Sequence, residues 1–564
     1  MTQQHTSEPV GLVQGVDPAS PLTFWVAVSP DSYLQLDDAV LIDSEVPGRG
    51  RVRISGIVQD VRAQHEGASL ASDVFLADQD VLPVQTAVDA QVVVTRVSPE
   101  IFVPPMPGLP AFRARGGERD EVLGFSTIER RLPAGLSRDG EPIWLDLDFL
   151  DGKKGAHINI SGISGVATKT SYALFLLYAL FHSDALGPTA TNAKALIFNV
   201  KGEDLLWLDH PTNSASFDPT QYEALGLKPG PFESVGLWAP ARRGSGDTVL
   251  PAVSGRQRGV TAYGWTVRQF VEDRLLRFLF AEANDANSQI GDLVARIETA
   301  LERGLRPPTE DASSMVTEEG VVIGSLRDLV AHIEARLDAE DPAYLGRIAP
   351  GTASAFIRRL NGVVPEVEQL ILDSSVEHPE RYQIDFDGAQ VTVVDIHNLK
   401  DRAKRFVTGV VVRRMFEAKE DTGEREPLNF LVLDELNRYA PREGWSPIKE
   451  ILLDIAERGR SMGMILIGAE QTASEVERRI VANSAFRVVG RLDAAESARS
   501  EYAFLPAVTR ARASILEPGS MVLQQPTIPI PLQLRFPFPA WATRKEEALI
   551  ETDDEELFKR AGGR

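Results

Sequence analysis

Along residues 10–97, apolar and polar positions alternate in short runs, LTFWVAV, AVLI, RVRISGIVQDV and AQVVVTRV, separated by Pro, Gly and Asp. Period-two alternation between turn residues predicts short, half-buried strands, and their close spacing predicts a small β-barrel. The stretch FVPPMPGLPAFRARGGERDE, residues 102–121, is rich in Pro, Gly and charge and reads as a linker or exposed loop. From residue 143 the pattern becomes strand, glycine loop, helix and strand (HINISG, GVATKTS, YALFLLYALF, AKALIFNV), the βαβ signature of an α/β domain. Between about 265 and 369 the period lengthens to that of helices, as in VRQFVEDRLLRFLF and LRDLVAHIEARL, and this stretch reads as a helical insertion. The α/β alternation resumes at VTVVDI and runs through FLVLDE and MILIGAE to FRVVGRL and LQLRFP. The closing RKEEALIETDDEELFKRAGGR reads as a charged helix or tail.

These runs divide the chain into an N-terminal barrel (1–115), the first part of an α/β core (116–264), the helical insertion (265–375), the second part of the core (376–540) and the charged end (541–564). At 564 residues and 43% hydrophobic, the chain has material for more than one core. It contains no cysteine, so no disulfide or thiolate metal site holds it, and a reducing, cytoplasmic setting is expected. The opening residues show no basic stretch followed by an apolar one, so no secretory signal is expected. The longest apolar run, residues 172–181, is about half the ~20 residues that span a bilayer, and it reads as a buried helix rather than a membrane anchor. A net charge of −22 excludes a protein that coats nucleic acid through its whole surface, because such affinity comes from basic side chains neutralising phosphates. A local basic site remains compatible with it, for example one lining the pore of a ring.

The chemistry gathers at three places. Gly162–Ser171, GISGVATKTS, lies between an apolar strand and an apolar helix, the context of a phosphate-binding loop. In that reading Gly162, Ser164, Gly165, Val166, Ala167, Thr168, Lys169, Thr170 and Ser171 contact ATP, with backbone N–H groups and the helix N-terminus facing the phosphates. Lys169 reaches the terminal phosphates and Thr170 supplies a hydroxyl to Mg²⁺. The spacing departs from the usual G-x-x-x-x-G-K-[ST]: Thr168 replaces the glycine before the lysine, and the first glycine, Gly162, lies one residue too early. An ordinary glycine-containing turn is the competing reading.

The second place is NFLVLDEL, an apolar strand ending in Asp434 and Glu435. Ligands of parallel sheets bind at the carboxyl ends of strands, so Asp434 is expected on Mg²⁺ and Glu435, pointing to the other face, as the base for the attacking water, with a simple helix cap as the alternative. The third is the block IAERGRSMGMILIGAEQ. Gln471, at a strand tip, is expected to sense the γ-phosphate or orient water. Arg458 and Arg460 are either fingers acting on a neighbouring subunit's site, worth roughly three to five powers of ten in rate, or helix charges paired with Glu457.

Together, GISGVATKTS, LVLDE and RGRSMGMILIGAEQTASEV resemble the HerA group of the FtsK/HerA DNA-pumping ATPases, with ALIFNVKGED similar to that family's second core strand. Glu470 departs from it, since many relatives carry a small polar residue there. The resemblance implies a RecA-like P-loop core, a small N-terminal barrel, a helical bundle insertion, and a homohexameric ring that uses ATP and Mg²⁺ to thread double-stranded DNA. It further implies a NurA-like nuclease partner in end resection. The same motor coupled to a defence effector, or a pump of the conjugation-ATPase kind, are the alternatives. The residues expected to meet DNA phosphates are Arg242, Arg243, Arg256 and Arg258, four bases in a glycine-rich stretch holding one acid, Asp247. A solvated surface loop is the competing reading.

Overall fold

A computed structural model describes residues 8–68, 70–163, 169–244, 249–256, 258–280 and 289–548. Ser164, Gly165, Val166, Ala167 and Thr168 of the expected phosphate loop lie outside the described residues. The chain forms two compact units, Met1–Asp146 with Val488–Arg535, and Leu147–Arg487 with Phe536–Arg564.

In the first unit six antiparallel strands close a barrel, in the order Gly11–Val13, Thr23–Val28, Gln85–Ser98, Gly50–Glu66, Ala39–Val46 and Pro110–Arg113. Alternate residues, among them Phe24, Val26, Val40, Ile42, Ile54 and Val92, fill its interior, as period-two patterning requires. The stretch read as a linker supplies the closing strand. Ala111 pairs with both Gly11 and Ile42 and is fully buried. Proline is tolerated at the first position of a strand, so Pro110 masks this four-residue element without preventing it. The unit also holds an antiparallel sheet in the order Ser520–Gln525, Ile528–Arg535, Arg131–Leu136 and Pro142–Asp146. The late strand carrying LQLR, which the pattern assigns to the second half of the core, lies with its neighbour Ser520–Gln525 in the barrel's unit.

The second unit is built on strands β1 (Ile158–Ser161), β2 (Lys194–Asn199), β3 (Val235–Arg243), β4 (Val391–Asp395), β5 (Asn429–Asp434) and β6 (Met464–Glu470). They lie in the order β3–β4–β2–β5–β6–β1, every neighbouring pair parallel. Every residue of β1, β4 and β6 is buried, because helices cover both faces of a parallel sheet. Three helices matter for the site: α1 (Lys169–His182), α2 (Asp401–Thr422) and α3 (Pro447–Met462).

Helix α1 is apolar on all sides because it is enclosed on all sides. Tyr172 and Tyr178 meet Phe536 and Trp541 at ring distances of 5.1 Å each. Among the described residues no helix is long and apolar enough to cross a membrane. The contact with α1 explains why Phe536 and Trp541 belong to the second unit, with Trp541 fully buried. Of the expected charged end, residues 549–564 lie outside the described residues, and Lys545–Glu547 forms a short 3₁₀ turn.

The stretch expected to be helical carries helices Val267–Glu272, Gln289–Gly304, Leu326–Asp338 and Pro350–Val367. Among its described residues it also carries short strands that the periodicity misses: Leu305–Arg306, Met315–Thr317 and Val322–Ile323 in one small sheet, and Trp265–Thr266 paired with Ile371–Leu372 in another. Ile297, Leu301, Ile333, Phe356 and Leu360 join one apolar cluster with Phe406 and Val410 of α2.

Candidate functional site

Because β1, β5 and β6 run parallel and adjacent, the residues that follow them emerge at one edge of the sheet. From β1 the chain passes Gly162, whose N–H donates to the Glu470 carbonyl at 3.2 Å, and α1 then begins at Lys169. Lys169 is buried and its Nζ donates to the Gly162 carbonyl at 2.6 Å. Burial lowers its pKa, against the opposing pull of Asp434. Thr170 Oγ1 donates to Asp434 Oδ2 at 2.9 Å, joining the start of α1 to the end of β5 across 264 positions of sequence. Ser171, also buried, completes the first residues of the helix.

Asp434 is nearly enclosed, and its Oδ1 accepts the Glu435 N–H at 2.9 Å. Glu435 stands in the left-handed region at φ 59°, a conformation costing a non-glycine residue about 1–2 kcal/mol. Such strain clusters at functional sites. This turn keeps both carboxylates at the strand end instead of sending the second to the opposite face. The Glu435 carboxylate pairs with Arg438 Nε at 2.9 Å and lies 3.8 Å from Lys201 Nζ. Gln471 follows β6 directly and is exposed.

Lys201 escapes a reading based on motifs. Its Nζ is 3.1 Å from Asp434 Oδ2, the oxygen that also accepts from Thr170. The available signal is the charged NVKGED directly after a buried parallel strand. The same holds for β4, whose end carries fully buried Asp395. Asp395 Oδ1 accepts from Asn199 Nδ2 at 2.7 Å and lies 2.8 Å from His397 Nδ1. That hydrogen bond holds the His397 pKa above its ordinary value.

Arg458 and Arg460 lie near the end of α3, which leads through Gly463 into the opposite, N-terminal end of β6. Within one chain the structure therefore does not bring them to Lys169 and Asp434. Arg458 pairs with Glu420 at 2.5 Å and stacks 5.8 Å from the Phe416 ring. Arg460 donates to the carbonyls of Gly152 and Lys153 at 3.0 and 2.6 Å. Glu457, the expected alternative partner, pairs with Arg479 instead.

The four candidate DNA-contacting arginines do not form one free cluster. Arg256 is committed within the chain, its two terminal nitrogens reaching the Asp209 carboxylate at 2.5 and 2.6 Å and its guanidinium lying 5.3 Å from the Trp207 ring. Arg243 pairs with Asp373 at 3.0 Å but stays mostly exposed. Arg242 and Arg258 are exposed.

This donor set fits a magnesium nucleotide: one hydroxyl and one enclosed carboxylate at the head of a helix, with a buried ammonium beside them. Among the described residues no group of three or more His, Cys, Asp or Glu could hold a metal by itself, so a cation here would share its ligands with phosphate.

No family model matches the chain, and no curated protein matches it. Matching solved structures include VirB4 of Thermoanaerobacter pseudethanolicus (15% identity, 73% of this chain and 97% of that one, TM-score 0.44). They also include the plasmid coupling protein TrwB in complex with ADP and Mg²⁺ (13%, 75% and 93%, TM-score 0.46). A third is the genome packaging NTPase B204 of Sulfolobus turreted icosahedral virus 2 with ATP-γ-S (10%, 27% and 70%, TM-score 0.20). At these TM-scores the likeness decides neither fold nor function, which rest on the chain's own residues.

Proposed function

We propose that the chain is a Mg²⁺-dependent ATPase of RecA-like core, interrupted by a helical insertion at 265–375, that works as a homohexameric ring and moves double-stranded DNA. The observation carrying this reading is the 2.9 Å bond between Thr170 and Asp434 at the head of α1, with Lys169 buried alongside. In this reading Lys169 leaves the Gly162 carbonyl for the phosphates, Thr170 and Asp434 hold the cation, and Glu435, turned from Arg438, takes the proton of the attacking water. Bound Mg²⁺ supplies charge neutralisation on the phosphates. Gln471 orients the water.

The placement of two arginines supports the ring. Arg458 and Arg460 stand at the far edge of their own sheet, so either serves catalysis only in the site of another copy. Of the four candidate arginines, Arg242, Arg243 and Arg258 remain to meet DNA phosphates. The test is mixing: Glu435→Gln and Arg460→Ala subunits, each with less than a tenth of wild-type hydrolysis alone, regain activity together because some sites then combine an intact Glu435 with an intact neighbouring arginine. Mixtures no more active than the sum of their parts contradict the trans role.

A second reading keeps the site and changes the cargo, to a pump of the conjugation-ATPase kind. One of the similar solved structures, TrwB, is a bacterial conjugative coupling protein. Hydrolysis that duplex DNA stimulates at least several-fold favours the DNA motor, and hydrolysis indifferent to DNA favours the pump. A nuclease or other effector partner is left to co-purification.

A further inference from the structure

The turn that follows β2 touches two places at once. Lys201 Nζ sits 3.1 Å from Asp434 Oδ2 and 3.8 Å from Glu435 Oε1. Two residues on, Glu203 Oε1 accepts from the backbone N–H and the hydroxyl of Ser254, both at 2.8 Å, and Oε2 accepts from the Gly255 N–H at 2.7 Å. Burial raises the Glu203 pKa, but these donors outweigh it and hold the carboxylate below its usual range. Gly202 stands between them at φ 56°, its carbonyl accepting from Asn199 Nδ2 at 2.8 Å.

The loop that Glu203 grips carries Arg256 and Arg258. The fit is close, for a Cβ on Gly255 would fall 2.1 Å from Glu203 Oε2. Arg256 fastens the same loop a second time, through Asp209 and the Leu206 carbonyl. A three-residue turn is thus tied at one end to the acidic pair and at the other to an arginine-bearing loop.

Two adjacent carboxylates need positive charge near them: Arg438 meets Glu435, and Lys201 meets Asp434. Lys201 does so on the same oxygen that Thr170 touches, where a divalent cation would bind. Lys201 and that cation repel each other, so both do not keep this oxygen. We propose that Lys201–Gly202–Glu203 is a positioning strap: Lys201 holds the carboxylate pair while the nucleotide is absent, yields it to the magnesium nucleotide, and through Glu203 shifts the loop bearing Arg256 and Arg258. The inference rests on the nucleotide reading above and adds to it a route from that site to a candidate DNA-contacting loop. Coupling through a chain of contacts requires a direct coupling measurement, because spatial continuity alone does not establish it.

The chain has no cysteine, so Arg258→Cys carries a single environment-sensitive fluorophore on the full-length protein. The label is read while magnesium and a non-hydrolysable ATP analogue are titrated, and binding is followed separately with a fluorescent nucleotide. The strap predicts a label response that half-saturates with nucleotide binding. Glu203→Ala removes all three loop contacts and reduces the response at least fivefold, with nucleotide affinity within twofold. Glu203→Gln, which retains Oε1, keeps part of it. Lys201→Met brings the label close to its nucleotide-bound signal before any nucleotide is added. Undiminished response in Glu203→Ala, or none in the otherwise wild-type protein that binds nucleotide, overturns the strap alone. Failure of the unlabelled wild type to bind magnesium nucleotide overturns the site reading and the strap with it.

Discussion

His157, immediately before β1, is enclosed by the core and stands at φ 67°, with Nδ1 accepting the Leu466 N–H at 2.9 Å. Burial pushes its pKa down from 6.5 to about 4. The folded chain therefore keeps this ring neutral in a range where the unfolded chain binds a proton. A depressed histidine contributes stability that is fully present above pH 6.5 and is lost as the pH falls through about 4. At about 1.4 kcal/mol per pH unit, the contribution is roughly 3 kcal/mol, a large part of the ~5–15 kcal/mol by which a domain is stable. The control is His157→Asn, which does not titrate, tolerates the left-handed conformation and offers Oδ1 to the Leu466 N–H in place of Nδ1. Urea unfolding of both proteins, followed by tryptophan fluorescence at pH 7.5 and pH 4.5, separates this residue from the carboxylates, whose titration is common to both. Wild type should lose roughly 2–3 kcal/mol more than the variant between the two pH values. Parallel losses would refute the reasoning.

Gly463 ends α3 at φ 69°, and a Cβ there would fall 1.8 Å from the Arg425 carbonyl oxygen; Gly463→Ala should cost more than ~3 kcal/mol in chemical denaturation, since backbone strain and a backbone clash add. Arg256→Ala should destabilise by about 1–2 kcal/mol by leaving the Asp209 carboxylate with His210 alone, whereas Arg258→Ala should stay within ~0.5 kcal/mol; equal effects in thermal unfolding would mean that the Asp209 pair is not structural.

The strands of the parallel core are legible in the sequence because both faces of a parallel sheet are covered: HINIS, ALIFN, VTVVD, NFLVLD and MILIGAE are apolar runs ending in polar residues. Those endings predict that Asp434 and Glu435 emerge at the sheet edge where ligands bind. Elements whose signal is carried by their partners were harder to see. Pro110–Arg113 becomes a strand only because two barrel neighbours complete it, and Leu305–Arg306 is too short for any period. The commitment of Arg256 to Asp209, and of Lys201 to Asp434, are contacts between residues 47 and 233 positions apart, and local composition carries no record of either. Glu435 illustrates a different limit: strand alternation sends successive side chains to opposite faces, but the backbone leaves the strand in a left-handed turn at that residue.

In the proposed function a magnesium nucleotide binds where Lys169, Thr170 and Asp434 meet. An experimental structure of the full chain with Mg²⁺ and a non-hydrolysable ATP analogue tests it most directly. The phosphates are expected at the head of α1, the metal bonded to Thr170 with Asp434 beside it, and Lys169 withdrawn from the Gly162 carbonyl. A nucleotide bound elsewhere, with the Thr170–Asp434 and Lys169–Gly162 hydrogen bonds both intact, would contradict it.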